Sequence, residues 1–438
     1  MRVIPLILIV FLGCGTAIVR PKLGLCFYLM FALMRPDILA FSYGHPYSMV
    51  IAICTLIGSL VYLPDILRSL WNPFTLALLA LVSLVGMSSA FALHPEYSYP
   101  EFYQYARGII MVLLIPALFR TKEEIFRCIL AMAMALGVIG LKFGLFGLVR
   151  GGVQFGNGFG GFMADNNTLA LAIVMAIPLA WYGATLTKGK LRTAFYISVF
   201  FDLVAVVMSH SRGGLLSLAI VLLLIALRSK HRIATIVVTV VFLSVPVVLV
   251  RNTLIERVST IGAYQQDESA VSRLVYAKAA LRMWADHPVS GVGFGTFNER
   301  LLLPSYLRGT EFEGKQMVVH NTYVQMLVDS GIFAFIVYLT LLFGTILWLQ
   351  KSVKKARLAC PGDEACPLAL QISLIGFMVG SAFLSRVDFD FTYMLIMSAG
   401  AWYRYQKSAP PISQTPAQPQ TMMLATTWSR VPTVRHAR

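Results

Sequence analysis

Stretches of about 20 apolar residues follow one another along this chain, and each is long enough to cross a ~30 Å hydrocarbon layer at ~1.5 Å per residue of helix. Of 438 residues, 58% are apolar and 13% charged, and the mean hydropathy is +0.74. A soluble domain of this length would need many more charges to cover its surface. The chain is therefore expected to be all-α, a polytopic helical membrane protein with about 12–13 transmembrane helices and one long outer loop. The spans are expected at 3–19, 23–40, 47–66, 74–93, 106–119, 127–149, 167–187, 193–210, 213–228, 233–250, 321–350, 364–385 and 388–404. The first reads as a retained anchor: Arg2 precedes its apolar core, but no small-x-small cleavage site precedes Arg20-Pro21-Lys22.

The net charge of +16 does not indicate nucleic-acid binding, because the Lys and Arg residues sit mainly in short loops and the tail. Basic clusters at Arg20/Lys22, Arg68, Arg120/Lys122/Arg127, Lys188/Lys190/Arg192, Arg228/Lys230/Arg232 and Lys351/Lys354/Lys355/Arg357 occupy every second loop. The alternate loops, 41–47, 93–105, 151–166 and 385–390, are poor in Lys and Arg, and Asp388 and Asp390 outweigh the Arg386 of the last. By the positive-inside rule the basic loops are cytoplasmic, the C-terminus is inside and the N-terminus outside. The loop from 251 to 319 then lies outside, together with the other loops of its set.

Cys14, Cys26, Cys54 and Cys128 fall in or beside apolar segments, where a thiol behaves as a small hydrophobe. Cys360 and Cys366 flank a turn that the topology places in the reducing cytoplasm, and no His stands near to suggest a metal site.

Three strings at outer ends of apolar segments carry candidate chemistry. The first is Ser211-Arg212-Gly213-Gly214, where the glycines allow a tight turn and Arg212 presents a fork of donors suited to phosphate oxygens. Taken alone, Arg212 reads as well as a topology anchor reaching the head groups. Ser211 is no hydrolase nucleophile, because Gly-x-Ser-x-Gly is absent. The second is Arg273, on a stretch whose apolar Val271, Leu274, Ala277, Leu281 and Trp284 recur with helical spacing. That stretch reads as an amphipathic helix at the membrane surface, capping a cavity, with Arg273, Lys278 and Arg282 forming a cationic face. Alone, Arg273 reads as a solvated charge. Gly291-x-Gly293-x-Gly295, just beyond, lacks the spacing and the preceding strand of a nucleotide fingerprint.

The third string is His320-Asn321-Thr322-Tyr323, which puts an imidazole at the outer mouth of the bundle. An ordinary histidine titrates near ~6.5, which suits a general base at neutral pH. A plain helix-capping histidine is the alternative. Asn321 could orient the ring. Asp329, nine steps of ~100° further on, falls half a turn away and is expected to pair inside the bundle instead.

In order and spacing these strings resemble the O-antigen ligase and polymerase superfamily of integral membrane glycosyltransferases. The matching stretches are Gly158 to Thr168 with Asp165-Asn166-Asn167, Ser209 to Gly214, Ser272-Arg273, Asp286-His287-Pro288-x-x-Gly291-x-Gly293-Phe294-Gly295-x-Phe297, and His320 to Tyr323. The N-terminal half, with Met34-Arg35-Pro36, looks like the branch called putative O-glycosylation ligases associated with exosortase systems. The resemblance implies that Arg212 and Arg273 hold the diphosphate of an undecaprenyl-diphosphate-linked glycan, and that His320 activates an acceptor hydroxyl. Asn321, Asn166, Asn167 and Asp329 are candidate supporting residues. Many relatives carry Glu where this chain has the shorter Asp329.

The resemblance further implies a metal-independent inverting transferase with no cofactor, in the bacterial inner membrane, its site facing the periplasm. Its partners would be the lipid-linked donor, a hydroxyl-bearing lipid, protein or glycan acceptor, and the bilayer, with no nucleic acid. A polymerase sharing fold and donor is the nearest alternative. A transporter is disfavoured, since no internal repeat is visible and the ionisable residues gather at the outer surface. The only Asp-x-Asp is Asp388-Phe389-Asp390, at a helix start. Residues 1–150 are expected to form an N-terminal transmembrane region, 151–404 the ligase-like domain with its periplasmic loop 251–319, and 405–438 a disordered cytoplasmic tail.

Overall fold

A computed structural model describes residues 3–42, 44–150, 165–229, 268–298, 302–313, 319–359 and 362–408, with isolated residues between 232 and 244. Among these the chain is 84% helical with no strand, an all-α polytopic membrane protein. Six helices are long and apolar enough to cross a membrane, and shorter apolar helices accompany them.

The helices run α1 (Val3–Val19), α2 (Pro21–Met34), α3 (Pro36–Leu39), α4 (Tyr47–Ser59), α5 (Leu63–Ser69), α6 (Pro73–Ala90), α7 (Pro95–Leu118) and α8 (Lys122–Val149). They continue with α9 (Asn166–Leu186), α10 (Gly189–Met208), α11 (Arg212–Arg228), α12 (Glu268–Asp286), α13 (Leu303–Leu307), α14 (Thr322–Ala359), α15 (Ala365–Ser381) and α16 (Asp390–Ser408). Local sequence sets the boundaries. Pro stands in the first turn of α2, α6 and α7, where its missing N–H costs nothing. Thr121 and Glu124 close a capping box at the start of α8.

Several spans differ from expectation. The segment 23–40 stops at Met34, because Arg35 adopts a left-handed conformation (φ 48°) and α3 restarts the chain. The expected outer loop 93–105 is helical from Pro95, so α7 is much longer than the apolar run 106–119. α14 overshoots its apolar stretch and ends at Ala359, and α16 continues to Ser408, past the expected start of a tail at 405. In each overshoot polar residues prolong a helix that apolar burial starts. The expected span 233–250, the first part of the long loop, Cys360 and residues 409–438 lie largely or wholly outside the described residues.

α9 is the central helix, apolar on all sides and buried nearly throughout. α8 packs on α10 through Gly137, Gly140, Gly144 and Gly147, whose missing side chains admit Ser198, Asp202, Phe201 and Met208. The main core joins residues of α2 and α6 to α8 with those of α9 to α11 and α14 to α16, so it runs without a break across position 150. The helices α1 and α4 sit at the periphery and present Phe11, Leu12, Ile53 and Ile57 outward, a surface that suits lipid.

Ion pairs gather the basic loops at one end of the bundle. Lys22 reaches Glu124 at 2.6 Å and Arg357 reaches Glu364 at 3.4 Å, while Arg120 pairs with Asp65 and Lys122 with Asp363. Arg228 donates to Gln350 at 2.8 Å at the same end. The alternate loops meet at the other end: Leu93 N donates to Val292 O at 3.1 Å, Ser98 Oγ to Phe294 O at 2.9 Å, and Arg386 to Asp165 at 3.2 Å.

Candidate functional site

Three helix N-termini converge at that second end. Asp165 caps α9, its Oδ1 accepting from the amides of Asn167 and Thr168 at 2.9 Å each. Ser211 caps α11 by accepting from Gly214 N at 3.1 Å. Asn321 caps α14, its Oδ1 accepting from Tyr323 N and Val324 N at 3.0 Å each. The carboxamide oxygen therefore serves the helix. The positive ends of helix dipoles favour anions.

The loop between α15 and α16, residues 382–389, joins these termini. Thr322 Oγ1 donates to Leu384 O at 2.6 Å and accepts from Arg386 N at 3.0 Å. Gly213 lies against the Phe383 side chain and Gly214 against Ala170 of α9. Asn166 Nδ2 donates to Ser209 O at 2.8 Å, tying α9 to the turn that carries Arg212. Asn167 contributes its backbone amide to the cap.

His320 is half-buried beside this junction, with φ 52°, a left-handed backbone rare for a residue with a Cβ. Such conformations persist only where the surroundings enforce them, and they cluster at functional sites. Burial first, and Arg273 second, push the imidazole below its ordinary 6.5, while Asp165 opposes them. So Arg273, from the loop helix, and Asp165, from α9, both act on the ring. Burial works to raise the Asp165 carboxyl, yet the Thr168 hydroxyl and amide and then Arg386 together hold it below the usual carboxylate value.

Arg273 is half-buried, whereas Lys278 and Arg282 are exposed. Five steps of ~100° separate Arg273 from Lys278, so the expected single cationic face is divided. α12 packs on the protein through a second apolar side. Tyr276, Ala279, Ala280 and Met283 pack with Val292, Phe297, Phe312 and Val328 in a core of their own. Leu274 and Leu281 point outward, 51% and 44% exposed. The helix has apolar residues on two sides, and only the packed structure tells which side meets protein. Arg212 is exposed at the start of α11.

Asp329 is buried, as expected for an acid inside the bundle, and its carboxylate is met by the chain that follows α12. Its Oδ1 accepts from Phe297 N at 3.1 Å, and its carbonyl accepts from Gly293 N at 3.0 Å and Ser88 Oγ at 2.7 Å. The string from Pro288 to Gly295 docks edge-on against α14, with Val292 N on Val328 O and Ile332 N on Pro288 O, each 3.0 Å. Gly331, at φ 76° and ψ −179°, kinks α14 to open the groove, and a Cβ there would collide with Val289 O. Gly291 and Gly331 bring backbone to backbone here.

Arg386 is the residue that charge counting undervalues. In the topology it is one loop charge set against two acids, yet its Nε donates to Thr168 Oγ1 at 3.2 Å and its Nη2 to Asp165 Oδ2 at 3.2 Å. The signal in the sequence is an arginine two residues before the Asp388-Phe389-Asp390 string. Those two acids go separate ways: Asp388 stands 4.0 Å from Arg386, and Asp390 rests on the backbone at Gly108. Among the described residues no three His, Cys, Asp or Glu side chains group closely enough to hold a metal.

Fold and site together define a multi-pass helical membrane protein with a cationic, histidine-bearing junction at one end. Residues 197–339, from α10 to the middle of α14, match the family described as O-Antigen ligase. Residues 1–188 match a family of unknown function (DUF5935). No curated protein matches the chain. The O-antigen ligase domain contains Arg212, Arg273, His320 and Asp329, and it supports glycan transfer of the ligase or polymerase type.

Proposed function

We propose that the chain transfers an oligosaccharide or polysaccharide from undecaprenyl diphosphate to an acceptor hydroxyl, at the periplasmic face of the bacterial inner membrane. What supports this reading above all is the convergence of the N-termini of α9, α11 and α14 beside His320, whose imidazole is shifted by burial, Arg273 and Asp165. A polyanionic donor is favoured there by cations and helix dipoles alike.

Arg212 and Arg273 bind the diphosphate and stabilise the charge that develops on it as it leaves. His320 accepts the proton of the acceptor hydroxyl, whose oxygen attacks the anomeric carbon as the bond to the diphosphate breaks. Direct displacement inverts that carbon. The carrier has already activated the sugar, so neither metal nor nucleotide enters the step. Burial and Arg273 keep the imidazole neutral at pH 7, the state a base requires. Asn166 ties the Arg212 turn to α9, and Asp329 anchors the loop that follows α12. The branch linked to exosortase systems and protein O-glycosylation is the subfamily we assign.

A polymerase would share donor and clamp and differ in its acceptor. A deletion strain scored for lipid-linked glycan, lipopolysaccharide laddering and protein glycosylation tests the reading. Build-up of the lipid-linked donor is expected, and the product that disappears names the acceptor. Unchanged donor levels with all three products intact would overturn it.

A further inference from the structure

Asp165 poses a problem for the base just described. A carboxylate close to an imidazole ordinarily pairs with it and holds it protonated, which raises its pKa. Among the described residues, however, no hydrogen bond joins Asp165 to His320. The carboxylate is occupied elsewhere. Its Oδ1 takes the Asn167 and Thr168 amides, and its Oδ2 takes the Thr168 hydroxyl and the Arg386 guanidinium. Arg386 is the only cation among these four donors. The same residue fixes the chain on the histidine's other side, because its backbone amide donates at 3.0 Å to Thr322 Oγ1, two residues after His320.

We propose that Arg386 is a positioning residue that holds Asp165 on the cap of α9 and so denies His320 a counter-ion. It touches neither sugar nor acceptor. Its two sets of contacts make one unit of the α9 start, the 382–389 loop and the α14 start. The charged groups around the ring are then divided by element. Arg273 acts from α12 and Asp165 from α9, Arg386 pairs with Asp165 from the loop with Asp388 4.0 Å from its guanidinium, and Arg212 starts α11, whose Gly213 lies against Phe383 of that loop. Removing Arg386 leaves a carboxylate with hydrogen bonds but no compensating charge, beside the α14 start that His320 precedes. The proposal gives His320 its use from the functional reading above, but its test needs no donor.

Purified full-length protein in nanodiscs is labelled at histidine, and the His320 signal is assigned by its loss in His320→Gln. Its titration is followed by NMR in wild type, Arg386→Gln, Asp165→Asn and the double variant. Asn caps a helix as Asp does, so Asp165→Asn removes charge and keeps the cap. Arg386→Gln is expected to raise the His320 midpoint by about one pH unit, the effect of an opposite charge at close range. Asp165→Asn should lower it only slightly, and the double variant should return it to near wild type. This non-additivity is the signature of one charge acting through another. A loss of order without an upward shift in Arg386→Gln would mean a structural role alone and would overturn the proposal. Should that variant not stay monodisperse, Asp165→Asn decides: a drop of a full unit would show that Arg386 never compensated the carboxylate. Wild-type protein that transfers no glycan, yet follows this titration cycle, would defeat the functional reading and leave the role of Arg386 standing.

Discussion

Gly331→Ala is the sharpest test of how the outer loop is held. The residue sits inside α14 at φ 76° and ψ −179°, a region open in practice only to glycine, and occupying it with a side chain costs ~1–3 kcal/mol. The new Cβ would also collide with Val289 O, so the docked segment must lift. Lifting it breaks Ile332 N–Pro288 O, Val292 N–Val328 O and Gly293 N–Asp329 O, three hydrogen bonds of 3.0 Å worth about 1 kcal/mol each. Undocking residues 288–295 therefore costs about 3 kcal/mol, and it relieves both the collision and the ~1–3 kcal/mol of backbone strain. Gly344, on the same helix with nothing within 4 Å of where an added methyl would sit, is the matched control. Hydrogen exchange on detergent-purified protein should show Val292, Gly293 and Phe297 amides losing protection in Gly331→Ala and keeping it in Gly344→Ala. Equal protection in the two variants would refute both the obligatory kink and the latch at Asp329.

His320→Ala is expected to cut transfer by ~10²–10⁴ while donor binding persists, measured with lipid-linked glycan and purified enzyme; near-normal turnover would remove the histidine from the mechanism. In wild type the rate should rise with pH through an imidazole titration below 6.5 and be flat above it, because the base works deprotonated. Arg273→Gln removes one of the two influences that depress the imidazole, so the acidic limb should move up as activity falls. Arg212→Lys keeps charge but loses the planar fork and should be much impaired; full activity in both Arg212→Lys and Arg212→Ala would make it an interface anchor. For sidedness, a cysteine at exposed Ser305 should react with an impermeant thiol reagent in intact spheroplasts, and one at Lys354 only after lysis, in a cysteine-free background. The reverse pattern would put the site in the cytoplasm.

The helices are legible because they are written in apolar length, and apolar length is what a bilayer reads. Expected starts at 3, 47, 74, 167, 193 and 213 fall within four residues of α1, α4, α6, α9, α10 and α11. The pairing of charge with topology is legible for the same reason: Lys22, Arg120, Lys122 and Arg357 do meet at one end. The extension of α7 back to Pro95 is hidden, because Glu96, Tyr97 and Tyr99 look like a loop to any count of hydropathy. Their helix is stabilised by contacts distant in sequence, such as Ser98 on Phe294 O.

The site shows where such counting ends. Arg212, Arg273 and His320 stand out by type and position, since a cation or an imidazole at the end of an apolar helix is costly enough to need a reason. What these residues do to one another depends on hydrogen bonds that no local pattern encodes. Asp329 illustrates this. Burial suggests a partner helix, but the carboxylate takes the amide of Phe297, 32 residues upstream. A carboxylate that accepts from backbone needs no complementary charge in the sequence, so no search for paired charges can find it. The same holds for Arg386. Its value lies in a capped carboxylate 221 residues away, and only the closure of α9 against the α15–α16 loop turns a surplus topology charge into a neighbour of the histidine's acid. Sequence names the groups able to do chemistry, and the packing of helix ends decides which of them reach one another.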